Sequence, residues 1–344
     1  MREGRTTVYN NITTPEKLSQ VNPENIELKE DFLDYLKSVG RAKSTITQYE
    51  HNLNVFFVWN LEFNKNKFFV DLSKRDVVKF QNHCIDEWHW SPRRIRTVKA
   101  TLSSMSNFIE AVLDDEYPSY RPIINKIESP VNAPVREKSV FTFEDLNPLL
   151  EHLVAKKEYM KAAILALAMF SGRRKAELTR FKVSYFDKEN LICGGALYMT
   201  PEPIVTKGRG VNGKLLTVYT LAKQFQPFFD AWMQYRKENG IESEWLFPDK
   251  DNPSEHIEPS VIDNMKDEFS KFLGKPWYPH SCRSTYCSYL LEQNIPQDVV
   301  QSIIGWESIE MISHYDNRTK ESQFEKYFGE DGIKQVKSKS IGEL

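Results

Sequence analysis

The chain has 344 residues, 40% of them hydrophobic and 27% charged, which is enough for about two domains with buried cores. A formal charge of −2 argues against a protein that coats DNA by bulk positive charge, and leaves only a local basic face as a route to nucleic acid. No stretch approaches the ~18 apolar residues of a membrane span, and the four cysteines (Cys84, Cys193, Cys282, Cys287) include no Cys-x-x-Cys pair. With an opening MREGRTTVYNN that lacks an apolar leader segment, the expectation is a reduced, cytoplasmic protein with no membrane contact, no structural metal and no cofactor.

Residues 1–25 are polar, hold Pro15 and Pro23, and read as an arm with little fold of its own. From Ile26 the pattern changes: Phe32, Tyr35 and Leu36 recur at helical spacing, and Ser44-Thr45-Ile46 opens a second run striped by Tyr49, Leu53, Phe56 and Phe57. Ser73 caps a third helix carrying Val77, Phe80 and Ile85. Ser91-Pro92 starts a fourth carrying Val98, Leu102, Met105, Phe108 and Ile109. Residues 26–117 are thus predicted to be a four-helix domain. Arg41 and Lys43 in its first turn, and Arg93, Arg94, Arg96 and Lys99 on its fourth helix, are candidate phosphate contacts. A solvated helix face is as ordinary a reading of any one of them.

Pro118, Pro122, Pro130 and Pro134 mark residues 118–138 as an extended linker. A second domain over 139–330 follows. Thr142 caps its first helix, YMKAAILALAMF is apolar enough for a buried central one, and LICGGALYMT, EPIVTK and GKLLTVYTL read as short strands with glycine turns. The fold class is mainly α, with a small antiparallel sheet in the α+β second domain. Phe324, Tyr327 and Phe328 are spaced as one apolar face of a helix, and residues 331–344 form a tail.

Four segments of the second domain carry groups suited to one reaction: SGRRKAEL at 171–178, TKGRG at 206–210, HSCR at 280–283 and GWESIEMISHY at 305–315. Attack of an oxygen on a phosphodiester concentrates negative charge on the non-bridging oxygens, and two guanidiniums can fork onto them. A tyrosine, mostly neutral near its ordinary pKa of ~10, needs a cationic field or a base to become a nucleophile. The departing 5′-oxygen needs a proton, which a lysine can supply. Taken singly, each segment has a bland explanation: Arg173-Arg174 as a solvated pair, His280 as a satisfied histidine, Trp306 and Tyr315 as core aromatics.

Together, in this order, they resemble the tyrosine recombinase, or phage integrase, family. Its Gly-x-Arg-x-x-Glu-Leu box is matched by Gly172 to Leu178, which makes Arg174 the first catalytic arginine and Glu177 its support. The resemblance places the family's hairpin lysine at Lys207, its His-x-x-Arg box at His280 and Arg283, its His/Trp position at Trp306 and its nucleophile at Tyr315, nine residues on. The chain departs from the family's pattern in three places. Arg173 stands where an apolar residue is usual, Trp306 replaces the commoner histidine, and Ser284 follows the second arginine. Arg174 rather than Arg173 takes the role because Glu177 then falls three residues later on the same helical face.

The Phe-x-x-Tyr-Leu helix and Ser-Thr-Ile turn are similar to the family's core-binding domain, so the likeness covers about residues 26–330. It implies a site-specific recombinase of integrase, transposase or resolvase type, cutting and rejoining DNA through a 3′-phosphotyrosyl link. It further implies inverted-repeat sites in double-stranded DNA, a homo-tetramer assembled on them, and the option of an accessory DNA-bending protein. A relaxing topoisomerase would use the same residues without choosing a site. A DNA-binding regulator on this fold would have lost them, and a metal-dependent nuclease would need clustered carboxylates that the sequence does not offer.

Overall fold

The structure, a computed structural model, describes residues 12–131, 139–206 and 214–319, together with 324, 328, 329, 332 and 333. Two compact units divide the chain, one running through residue 137 and the other starting at 138. Each unit has its own hydrophobic core.

The N-terminal unit is helical: α1 (Pro15–Leu18), α2 (Pro23–Ser38), α3 (Lys43–Phe63), α4 (Lys74–Asp86) and α5 (Pro92–Val112). Its caps are local chemistry. Ser73 accepts from the Asp76 amide while the Asp76 carboxylate accepts from the Ser73 amide, a reciprocal box at the start of α4, and Ser91 caps α5 ahead of Pro92. The core is strongly aromatic, with Phe56 edge-on to Phe80 at 5.0 Å and to Phe69 at 6.0 Å. Burying each such ring contributes about 1.5–3 kcal/mol.

Three expectations for this unit are corrected. Residues 12–25 are not a structureless arm: Ile12 and Val21 are buried, and Thr14-Pro15 and Asn22-Pro23 are each a capping residue followed by proline at the first helical position. The prolines read as breakers are helix starters, because the first turn has no use for the missing N–H. Residues 118–131 are not a free linker either. Tyr120 and Ile124 are buried, and the Tyr120 hydroxyl lies 2.6 Å from that of Ser106. On α4 the core position belongs to Cys84, while Ile85 is exposed.

In the C-terminal unit, α6 (Phe143–Ala155) starts at a capping box between Thr142 and Asp145. It packs on α7 (Tyr159–Ser171), the apolar central helix, whose residues from Ala162 to Ser171 are all buried. After the short α8 (Lys175–Leu178) come β1 (Leu191–Ile192), β2 (Leu197–Met199), β3 (Ile204–Thr206), β4 (Lys214–Leu216) and β5 (Tyr219–Leu221). They form two antiparallel sheets: three strands in the order β1-β2-β5, and a separate β3–β4 hairpin that pairs Ile204 with Leu216 and Thr206 with Lys214. Next in the chain are α9 (Ala222–Glu238), α10 (Pro259–Asn264), α11 (Lys266–Leu273), α12 (Pro279–Glu292), α13 (Gln297–Ile304) and α14 (Ile312–Tyr315).

Helices α9 and α12 both pack on α7, so the central helix is enclosed by apolar faces. The aromatic triplet expected on one helix is not so arranged: Phe324 is helical, but Phe328 lies in a two-residue strand paired with Gly332–Ile333, and Tyr327 lies outside the described residues. Both phenylalanines are exposed, with rings 6.4 Å apart. Among the described residues, no helix is long and apolar enough to cross a membrane.

Candidate active site

The site begins where α7 ends. Gly172 turns the chain at φ +62°, and a Cβ there would lie 2.5 Å from the Tyr286 ring, so both backbone angle and space call for glycine. The turn sends the next two arginines opposite ways. Arg173 goes inward and is fully buried, whereas the Arg174 side chain keeps about a third of its surface in solvent.

Glu177 holds Arg174 at both ends: one carboxylate oxygen accepts from Arg174 Nη1 at 2.9 Å, the other from its amide at 3.1 Å. Burial of Glu177 works to raise its pKa, but the charges of Arg173 and Arg174 and these hydrogen bonds outweigh it, and the carboxyl sits below its ordinary value.

Helix α12 opens with Pro279 at its first position and places His280 in solvent and Arg283 in the interior. Arg283 Nη1 donates to the Gly172 carbonyl at 2.8 Å, tying the helix to the turn that carries Arg174. Burial, then the neighbouring Arg173 and Arg174, push the Arg283 pKa down to about 9. Its guanidinium lies 5.2 Å from the centre of the Trp306 ring and 5.7 Å from that of Tyr315, within cation–π range of both.

Tyr315 ends α14 and is 9% exposed. The Trp306 ring lies 4.8 Å away and the His280 ring 5.1 Å away, edge to face. Trp306 Nε1 is buried without a hydrogen-bond partner among the described residues. The chain beyond Tyr315 is pinned to α12: the Asn317 amide donates to the Ser288 hydroxyl at 2.8 Å, and Arg318 bridges Asp316 and the Leu291 carbonyl.

The β3–β4 hairpin leans on the same region. Leu216 fills the place where a Cβ on Gly305 (φ +75°) would stand, and Lys214 pairs with Glu307 at 2.8 Å, on either side of Trp306. Lys207, which follows β3, lies outside the described residues.

His280, Arg283, Trp306 and Tyr315 are therefore brought together, with Arg174 and Glu177 joined to them through Gly172. The reading of Arg173-Arg174 as a solvated pair fails for Arg173. A full guanidinium in the interior was not foreseen, although the apolar run of α7 implies that whatever follows its last turn starts inside.

In the N-terminal unit, Arg41, Lys43, Arg93 and Arg96 are exposed. Of the other two phosphate candidates, one is buried and one half-buried, and both are bonded within the unit. Lys99 is 4% exposed and donates to Gln81 and to the carbonyls of Ile127 and Glu128. Arg94 donates to Asn52 at 2.7 Å and stacks on Trp90. Contact with a phosphate would cost both residues these bonds, which favours the four exposed residues for that role.

A phenol packed with a guanidinium and an imidazole, with a second guanidinium tied to them through Gly172, defines a class of site suited to moving a phosphoryl group between hydroxyls. Comparison with known proteins agrees with that class. Residues 139–322 match the phage integrase family and residues 28–119 match the phage integrase N-terminal SAM-like domain. The chain belongs to the phage integrase family.

Among its relatives is the SPbeta prophage-derived recombinase-like protein YomM of Bacillus subtilis, 27% identical over 317 residues that cover 90% of this chain and 92% of that one. The fold is shared with the XerH site-specific recombinase bound to a palindromic difH substrate in a post-cleavage complex, with a TM-score of 0.64, 16% identity and 89% of each chain covered. It is shared as well with a lambda integrase tetramer bound to a Holliday junction, with a TM-score of 0.61, 15% identity, and 85% of this chain and 78% of that one covered.

Proposed function

We propose that this chain, a site-specific DNA recombinase of the phage integrase family, breaks and rejoins a DNA strand through a 3′-phosphotyrosyl bond to Tyr315. The observation that carries the reading is the packing of the Tyr315 ring among His280, Trp306 and the Arg283 guanidinium, residues up to 35 positions apart in sequence. The phenol oxygen attacks phosphorus while the bond to the 5′-oxygen breaks. Arg174 and Arg283 draw off the charge that builds on the non-bridging oxygens. His280 receives the phenol proton, and the buried Trp306 N–H is an unused donor for a phosphate oxygen. Lys207 protonates the leaving 5′-oxygen. Reversal, with a 5′-hydroxyl from another strand as nucleophile, rejoins the DNA.

The exposed Arg41, Lys43, Arg93 and Arg96 hold the duplex backbone. Exchange between two duplexes takes four copies on double-stranded DNA with inverted repeats, with or without an accessory DNA-bending protein. The reaction runs in the cytoplasm and uses no cofactor. The exposed Phe324 and Phe328 suit docking on a neighbouring copy better than packing into their own unit.

The test uses duplexes selected from a random-sequence library by binding to the full chain, then nicked so that the cut fragment diffuses away. Wild-type protein accumulates a covalent adduct on them. Tyr315→Phe binds equally well and forms none, and an adduct from that variant refutes the assignment.

A further inference from the structure

Arg173 has no part in the scheme above, yet its guanidinium is among the most deeply buried groups of the protein. Its Nε donates to the carbonyl of Ser171 at 2.9 Å, and its Nη2 to those of Ile303 at 3.1 Å and Ile304 at 2.9 Å. Ser171 is the last residue of α7, and Ile303 and Ile304 are the last two of α13. Carbonyls at a helix C-terminus lack partners within the helix and carry the negative end of its dipole. One cation thus bridges the ends of two helices that are 130 residues apart in sequence.

Arg283 reaches the same point, with Nη2 3.4 Å from the Ile304 carbonyl. That bond is long, while the one from Arg173 is short. If Arg283 turns toward a phosphate, the Ile304 carbonyl keeps its partner.

Burying a guanidinium carries a large desolvation cost, and an apolar side chain would fill the space without it. Locally the charge is only partly offset: Arg173 Nη1 has no hydrogen-bond partner among the described residues, and the one carboxylate facing it, Glu177, also faces Arg174 and is hydrogen-bonded to that residue. The charged and titratable groups facing Arg173 are Glu177, Tyr286 and Arg174, with Arg283 beside it. This surplus of positive charge lies behind the site where the transition state gathers negative charge.

We propose that Arg173 is a positioning residue for strand cleavage, clamping the ends of α7 and α13 so that Arg174 and Arg283 face the phosphate and holding a fixed positive charge behind them. The turn it clamps on one side, Ser171–Gly172, leads through Arg173 itself into Arg174. The helix end on the other side leads through Gly305 into Trp306. The inference rests on the reading of Tyr315 as nucleophile, and the test separates the two.

The full chain carrying Arg173→Met or Arg173→Lys is assayed for melting, for binding to the selected duplexes, and for the rate of adduct formation on their nicked form as pH is varied. Arg173→Met is expected to bind within about twofold of wild type but to form adduct at least about tenfold more slowly. The falling, alkaline limb of its pH profile should move to higher pH, because Arg173 is, after burial, the main cause that holds the Arg283 pKa down to about 9. Arg173→Lys keeps the charge but cannot span both helix ends, so it should restore the pH profile and only part of the rate.

Wild-type rates from Arg173→Met overturn the proposal. So does an equal loss in both variants with an unmoved pH profile, which is the mark of a residue that only supports the fold. If Arg173→Met does not fold, Arg173→Lys decides: a slowed reaction in a folded, DNA-binding protein upholds the clamp, and a wild-type rate rejects it. Tyr315→Phe runs alongside. An adduct from that variant fails the nucleophile assignment, whereas its inactivity together with a wild-type Arg173→Met fails the clamp alone.

Discussion

The exposed cations of the N-terminal unit and the buried pair of the C-terminal unit are held on opposite terms. In the N-terminal unit Arg41, Lys43, Arg93 and Arg96 stand in solvent, where a guanidinium or ammonium costs little to hold and its pull on a phosphate is screened by salt. In the C-terminal unit Arg173 and Arg283 are stripped of water and held by backbone carbonyls at the ends of α7 and α13. Their field is weakly screened and already oriented. Under the proposed function the first arrangement would serve affinity, which must be reversible and tunable, and the second a transition state, which gains only from groups that need no rearrangement when charge appears.

The contrast is most exposed at Arg283. Arg283→Ala removes one of the two guanidiniums proposed to face the phosphate, and adduct formation should fall on the order of 10²-fold or more while binding changes little. Parallel losses in cleavage and binding would mean that the buried cation acts as the surface ones do.

An intermediate effect is expected from a buried charge in the N-terminal unit. Burial works to raise the pKa of Asp76, but hydrogen bonds from Ser73 and the pairing with Lys67 prevail and lower it from 3.8 to about 2. The folded-state value lies below the unfolded one, so this contribution, about 2 kcal/mol, is present above pH 4 and lost as pH falls from 4 to 2. Asp76→Asn should lower the melting temperature at neutral pH and flatten the acid dependence across that window, as read by calorimetry. An unchanged acid limb would show that the pairing contributes nothing.

The smallest effect belongs to the surface set. Arg93→Ala and Arg96→Ala should each weaken binding a fewfold and reduce the slope of log affinity against log salt by roughly 0.9 for each phosphate that is no longer neutralised. Lys99→Ala, six positions or fewer away on the same helix, should leave that slope alone and lower stability instead, since its ammonium is bonded to Gln81, Ile127 and Glu128. A changed slope would put Lys99 on the DNA face after all.

What was legible in the sequence was legible for local reasons. Ser73, Ser91 and Thr142 announce helix starts because a cap needs only its next three residues, and the apolar stripes of α3 and α5 follow from a 3.6-residue repeat. The same local chemistry misled at Pro15 and Pro23, since proline breaks a helix from within and begins one from its edge. His280, Arg283, Trp306 and Tyr315 could be picked out by type and order. For Arg173 the apolar run of α7 and the apolar residue usual at its place point to burial, but the carbonyls at residues 303 and 304 that accept from it are encoded by no pattern near position 173. Lys99 and Arg94 escaped for the same reason: whether a basic residue faces water depends on acceptors contributed from elsewhere, here residues 127 and 128 for one and Asn52 for the other.

The seat of Leu216 on Gly305 gives the hairpin and the Trp306 turn a shared inheritance. Because the leucine methyls occupy the volume any side chain at 305 would need, bulk added on one side must turn the leucine aside or be offset by its removal from the other. Gly305→Ala alone both strains a left-handed backbone and wedges the hairpin away, and a shortened residue at 216 would act as a partial second-site suppressor, relieving the wedge but not the strain. Positions 216 and 305 should therefore drift as a pair, their volumes trading against each other, wherever this clasp persists.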